Sequence, residues 1–111
     1  MHPAWLVSIT MKRLEYFGKV MKVVTELTEV EDKDILGKCK TIEAVDARWM
    51  VIRLMRDEGY STKHIAPLIC HPERTVNHAL CFFDERVKYS QNGLGNTLAT
   101  ARQILGNNAD S

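Results

Sequence analysis

The sequence predicts an all-α fold, a single-domain helical bundle that contains a helix-turn-helix. Apolar residues recur at three- and four-residue spacing along most of the chain, which indicates helices with one buried face. No segment shows the alternation of apolar and polar residues that is typical of a half-buried strand. The 111 residues are 45% hydrophobic and 26% charged, enough for one folded domain with a core but not for two.

Residues 1–23 are predicted to be an N-terminal extension followed by the start of an amphipathic helix that runs from about Met11 to Leu27. The apolar stripe of this helix consists of Leu14, Phe17, Met21 and Val24. Met11 is an alternative start, so residues 1–10 are expected to have little structure. Their apolar patch, Trp5 to Ile9, is a candidate surface for a homodimer through the N-terminal helix.

An acidic run then separates the first helix from a short second one. The run consists of Glu26, Glu29, Glu31, Asp32 and Asp34. Asp32 is the candidate N-cap of the short helix, whose Ile35 and Leu36 are expected to point inward, and Gly37 lies just past its end. A basic loop, Lys38 to Lys40, follows. The formal net charge is only +1, but without the acidic run the remainder is positive, so a basic face is compatible with the total.

The third predicted helix begins near Thr41 and ends before Gly59, and its apolar face suits the centre of the core. That face consists of Ala44, Ala47, Val51, Leu54 and Met55. Arg48, Arg53 and Arg56 lie off this stripe.

The stretch from Gly59 to Ser90 predicts a short helix, a tight turn and a long helix. Ser61 is a candidate N-cap for a helix over Thr62 to Ile69, which Pro67 should shorten or bend. His71-Pro72-Glu73 opens the long helix, with Pro72 expected at the first helical position. Its buried stripe is Val76, Leu80, Phe83 and Val87. This is helix-turn-helix geometry, which favours nucleic-acid binding.

A break at Asn92-Gly93-Leu94-Gly95 precedes a last helix, predicted over Asn96 to Leu105, and a polar tail. The chain thus divides into residues 1–23, a helix-turn-helix domain over 24–90, and a C-terminal helix with its tail over 91–111.

The first turn of the long helix carries side chains suited to reading base edges. Arg74 can pair with guanine, Glu73 can accept from cytosine and Asn77 can read adenine, with Thr75 and His71 beside them. The alternative is an ordinary solvated face of an amphipathic helix.

From Val24 to Val87 the chain resembles the C-terminal DNA-binding domain of DnaA, the bacterial chromosomal replication initiator. The matching pieces are Asp34-Ile35-Leu36, the basic loop at Lys38 to Lys40, Ala47-Arg48, Ile65, and Thr75-Val76-Asn77-His78-Ala79, which is similar to the family signature. The resemblance implies cytoplasmic, nucleoid-associated binding to double-stranded DNA, in replication initiation or its regulation. The chain has no GxxxxGK[ST] phosphate loop, so it resembles only the DNA-binding part of such an initiator.

By this resemblance Thr75 contacts DNA, Arg48 grips phosphate, and Lys38 and Lys40 form the basic loop. Lys63 is predicted to be a further phosphate contact. The chain departs from the family at His71 to Arg74, where most base-reading residues differ, and at Ile42, where the family has an arginine. A shared fold with a different DNA site is therefore expected.

Other chemistry has little support in the sequence. Cys70, His71, His78 and Cys81 cluster, but no known zinc-finger spacing is met, so no metal or cofactor is expected. Nothing supplies an orienting group or oxyanion site for a Cys-His nucleophile, so no enzymatic activity is expected. Three cysteines without a CxxC pair suggest reduced thiols, and no membrane span is apparent.

Two functions follow from these patterns. The first is sequence-specific binding of double-stranded DNA through the helix-turn-helix. The alternative is a protein-interaction or regulatory adaptor that has kept the fold and lost DNA binding.

Overall fold

The structure, a computed structural model, describes the backbone of residues 4–109 and the side chains of residues 11–107. Six α-helices and no strands form this part of the chain, so the predicted all-α bundle is confirmed. The helices are α1, Ala4–Thr28; α2, Asp32–Leu36; α3, Ile42–Asp57; α4, Thr62–Ile69; α5, Glu73–Tyr89; and α6, Leu94–Ala109. None of them is long and apolar enough to cross a membrane.

Helix α3 is the centre of the fold and packs against every other helix. All five residues of its predicted apolar face are buried, because the other helices surround α3. The largest side chains that are fully buried come mainly from α3, with further contributions from α1, α2, α4 and α5. Thr41 is the N-cap of α3, and its hydroxyl accepts a hydrogen bond from the Ala44 amide at 3.2 Å.

Helices α3 and α4 end in the same type of hydrogen-bonded turn. After α3, the Gly59 amide donates to the Arg56 carbonyl and the Tyr60 amide to the Met55 carbonyl. Gly59 has φ +106°, which glycine adopts without strain. After α4 the equivalent left-handed position is occupied by Cys70, with φ 60° and ψ 34°. A side-chain-bearing residue there is strained by about 1–2 kcal/mol.

Two helix starts differ from the expected ones by a single residue. Glu31, not Asp32, is the N-cap of α2, and Pro72 is the N-cap of α5 rather than its first helical residue. Neither makes a side-chain cap bond: the proline ring has no acceptor, and the Glu31 carboxylate lies 3.3 Å from the Lys33 ammonium. The predicted bounds of α4 are confirmed, with Pro67 inside the helix.

The first and last helices are longer than the sequence indicated. Helix α1 begins at Ala4, so the expectation of little structure before Met11 is wrong for residues 4–10. The side chains of the Trp5–Ile9 patch lie outside the described residues. Helix α6 begins at Leu94, whose amide donates to the Ser90 hydroxyl oxygen at 3.3 Å. The second glycine of the predicted break is therefore helical.

Candidate nucleic-acid interface

Helix α5 presents one exposed stripe opposite its buried one. Val76, Ala79 and Phe83 are buried, whereas Arg74 and Asn77 are exposed. Arg74 and Asn77 are three residues apart and so share a face of the helix. Thr75, adjacent to this face, is half-buried. The side chains predicted to read bases are thus at the outward N-terminal part of α5.

The start of α5 is connected on two sides to other segments that carry lysines. On one side, His71 Nε2 donates to the Gly37 carbonyl oxygen at 2.8 Å, which fixes the ring tautomer with the proton on Nε2. On the other side, Thr62 Oγ1 donates to Glu73 Oε1 at 2.9 Å. The first contact joins the turn before α5 to Gly37, which directly precedes the basic loop, and the second joins the first residue of α5 to the first residue of α4. Lys38, Lys40 and Lys63 therefore lie on segments that converge at the N-terminus of α5.

Arg48 holds the basic loop in place from within the protein. Its side chain is only 5% exposed. Nε donates to the Ile35 carbonyl at 2.6 Å, and one terminal nitrogen lies 2.8–3.0 Å from the carbonyl oxygens of Asp34, Gly37 and Cys39. Burial lowers the pKa of Arg48, and the neighbouring Cys39 side chain opposes this shift. The guanidinium thus donates hydrogen bonds to carbonyl oxygens at the end of α2 and in the chain just after it, which a helix end leaves without backbone donors.

The phosphate contact predicted for Arg48 does not fit this position. A guanidinium that is buried and donates to four carbonyls cannot reach a DNA backbone without taking those bonds apart. Arg48 is thus buried although it lies off the apolar stripe of α3.

Four cations remain at the surface of this region. Lys38, Lys40, Lys63 and Arg74 are exposed, and no salt bridge identified among the described residues includes any of them. By contrast, Arg53, Arg86 and Arg102 pair with carboxylates elsewhere on the fold. Glu73, next to Arg74 in the sequence, accepts a hydrogen bond from Thr62 with one of its oxygens.

His71 and His78 have structural contacts that sequence reasoning did not assign. His71, predicted to contact bases, is half-buried with Nε2 directed at Gly37. The His78 ring lies 5.7 Å from the Trp49 ring centroid in an edge-on arrangement and 4.8 Å from that of Phe82. Both rings thus fix α5 against neighbouring segments. The sequence carries one sign of the His78–Phe82 contact, since the two aromatic rings are four residues apart and so share a face of the helix.

An ion pair between α3 and α5 was also absent from the sequence analysis. Arg86 Nε donates to an oxygen of Asp46, and the guanidinium lies over the Trp49 ring at 4.9 Å from its centroid. Asp46 and Arg48 are the buried polar residues identified among the described side chains. The pair orients α5 on α3 at the end opposite the His71 contact.

No protein-family model matches this chain, and comparisons with curated proteins and with solved structures also find no match. Among the described residues, no group of three or more His, Cys, Asp or Glu side chains is placed to hold a metal ion.

Proposed function

We propose that the chain binds double-stranded DNA with α4 and α5 acting as a helix-turn-helix, α5 entering the major groove. The observation that carries this proposal is the junction at the start of α5, where the His71–Gly37 and Thr62–Glu73 bonds bring two lysine-bearing segments to one helix terminus. A recognition helix requires this arrangement, with cations beside it to hold phosphates and polar side chains on its first turns to reach bases.

The roles divide according to exposure. Lys38, Lys40 and Lys63 hold phosphates, which fixes orientation and gives affinity without reading sequence. Arg74 and Asn77 read base edges from the exposed stripe of α5. Thr75 and Glu73 contribute at its first turn, and Glu73 accepts from a base with the oxygen that Thr62 does not use. His71 positions the helix and reads no base.

The resemblance to the DnaA C-terminal domain supports a role in replication initiation or its regulation. Ile42, where that family has an arginine, is 63% exposed and offers no charge to a minor groove. The residues at His71 to Arg74 also differ from the family. The DNA site of this chain is therefore proposed to be its own.

Selection from random duplex DNA, followed by titration of the recovered site, tests the proposal. Arg74→Ala should lower the preference for the selected site over mutated sites by about 1–3 kcal/mol, with little change on random DNA. Lys88→Ala is the matched control, because it removes an exposed cation from the other end of the same helix. Absence of any binding to duplex DNA at low salt refutes the proposal.

Salt dependence separates phosphate contacts from base contacts. Replacing both Lys38 and Lys40 by alanine should weaken binding to all sequences and flatten the slope of log K against log salt by about 1.8, about 0.9 for each lost phosphate contact. If the slope is unchanged, the loop does not face DNA.

The adaptor function is the second candidate, and one observation favours it. Ile42, Phe82 and Tyr89 are exposed around a groove between α3 and α5, away from the start of α5. Failure to bind any duplex DNA, together with retained binding of a protein through this groove, would favour the adaptor.

A further inference from the structure

A groove of about 650 Å³ lies between the first half of α3 and the last part of α5. Ile42, Trp49, Phe82 and Tyr89 are its large apolar lining residues. Ile42 is 63% and Tyr89 72% exposed, so their apolar surface is largely in contact with water. Clusters of this kind are typical of a surface that binds a partner.

The groove is also acidic. Glu43, Asp46 and Glu85 line it together with a single cation, Arg86, which pairs with Asp46. Glu43 and Glu85 take part in no salt bridge identified among the described residues. Outside the lining, the Lys88 ammonium lies 5.4 Å from the Tyr89 ring centroid. The groove thus suits an occupant that is apolar on one side and basic around it.

The first half of α1 has that complementary character. Five large hydrophobic side chains are exposed among those described: three belong to the groove, and the other two are Met11 and Leu14. On α1 the two apolar side chains are flanked by Lys12, Arg13 and Lys19, with Glu15 as the acidic residue among them. Among the described side chains of α1, Tyr16 and Phe17 are the first that pack against the core and Val20 is the first that is buried, so Met11 and Leu14 lie before the part of the helix that joins the core.

The same molecule cannot fill its own groove with α1. Tyr16 lies against Tyr60, with ring centroids 6.1 Å apart, at the C-terminal end of α3. From Tyr16, α1 runs towards α2, whose Ile35 carbonyl accepts from Arg48 in the first half of α3, so the residues before Tyr16 lie on the far side of the C-terminal end of α3. The groove lies at the opposite end of α3, which is 16 residues or about 24 Å long.

We propose that copies of this chain associate head to tail, with the first half of α1 from one copy docked in the α3–α5 groove of the next. The apolar residues Met11 and Leu14 cover Ile42, Phe82 and Tyr89, while the α1 cations approach Glu43 and Glu85. Such an interface uses two different surfaces, so a dimer keeps one free α1 surface and one free groove, and further copies can add.

Two variants with complementary defects test the proposal. The helix variant carries Met11→Glu and Leu14→Glu, and the groove variant carries Ile42→Ser and Tyr89→Ser. All four positions are exposed, so the fold should be kept, which circular dichroism checks. Analytical ultracentrifugation without DNA then gives the mass as a function of concentration, so the result is independent of DNA binding.

The unaltered chain should form dimers and larger species as its concentration rises, and each variant alone should remain a monomer. An equimolar mixture should form a dimer and nothing larger, because only one intact helix–groove pair is present. Gln103→Ser on the exposed side of α6 is the control and should associate like the unaltered chain.

Three results overturn the proposal. The first is a monomeric unaltered chain at every concentration. The second is a groove variant that associates normally, which would indicate a symmetric contact between α1 helices instead. The third is a mixture of correctly folded variants that fails to assemble.

Discussion

Replacing Arg48 by methionine should destabilise the protein more than any substitution of an exposed arginine. Methionine keeps the apolar part of the side chain and removes the guanidinium that donates to the carbonyls of Asp34, Ile35, Gly37 and Cys39. The loss therefore reports on the hydrogen bonds and not on a cavity.

The burial of each carbonyl sets the magnitude. The bond to Ile35 is fully buried, so its carbonyl loses its donor with no water to replace it, which costs about 1–3 kcal/mol. The other three bonds share one nitrogen and are partly exposed, so water recovers part of their energy and each contributes about 0.5–1 kcal/mol. The expected loss is therefore about 2.5–6 kcal/mol, a large share of a typical domain's stability of about 5–15 kcal/mol.

Urea unfolding followed by circular dichroism measures this loss, and thermal unfolding should show a fall in Tm of about 10–24 °C, at about 4 °C per kcal/mol. Arg48→Lys should recover little, because one ammonium cannot reproduce the planar set of donors. Arg56→Ala is the matched control, since Arg56 is exposed and donates one bond, to Tyr60, and it should cost less than about 0.5 kcal/mol. A loss below about 1 kcal/mol for Arg48→Met would refute the assignment of Arg48 as the residue that holds the loop.

Three further predictions concern backbone strain and pH. Gly37→Ala should destabilise the protein by more than about 1 kcal/mol, because the added Cβ would lie 2.6 Å from the Lys33 carbonyl oxygen. Gly18→Ala should instead stabilise it by about 0.5–1 kcal/mol, because a Cβ at this position within α1 lies in open space. Urea unfolding of the two variants measures both changes. Cys70→Gly should raise the Tm by relieving the left-handed conformation, and Gly59→Ala should lower it. Burial, followed by Glu58 and Asp57, raises the pKa of Tyr16 from 10.0 to about 12. The stability that this shift contributes is present below pH 10 and is lost as the pH rises towards 12. Denaturant titrations should therefore show that the free energy of unfolding falls less between pH 10 and 12 for Tyr16→Phe than for the unaltered chain.

The sequence predicted α2 to α5 well because strong local signals mark their ends. Gly59 follows the end of α3, and Ser61 is the N-cap of the short helix α4. The predicted and observed limits of α4 coincide at Thr62 and Ile69. The stripe of α3 also identified the core correctly. These features depend on backbone conformation and helical periodicity, which are readable within a few residues.

The misjudged residues are those whose partners lie elsewhere in the chain. Arg48 lies off the apolar stripe, so periodicity placed it in solvent, but α2 and the loop fold over it and use its donors. His71 is similar, since its partner Gly37 is 34 residues away. In both, the acceptor is a backbone carbonyl, which every residue has and which therefore leaves no mark in the sequence.

The exposure of the candidate site residues agrees with their proposed roles only in part. Exposure of Arg74, Asn77 and the lysines at 38, 40 and 63 agrees with the expectations, whereas Arg48 and His71 act inside the fold. The helix pattern gives the outward face of α5, but the convergence of separate segments at its start depends on tertiary bonds.

Helices α1 and α6, farthest apart in sequence, pack against each other, and both pack on α3. Neither can detach without exposing apolar surface on the other, so the pair should open as one cooperative unit. In native-state hydrogen exchange, the amides of residues 20–28 and of α6 should share one opening free energy. The amides of α4 and α5, joined to α2 and α3 by other contacts, should exchange by a separate opening. Because α5 also packs on α6, opening of the α1–α6 pair removes one of its supports, while its contacts with α3 and α4 remain.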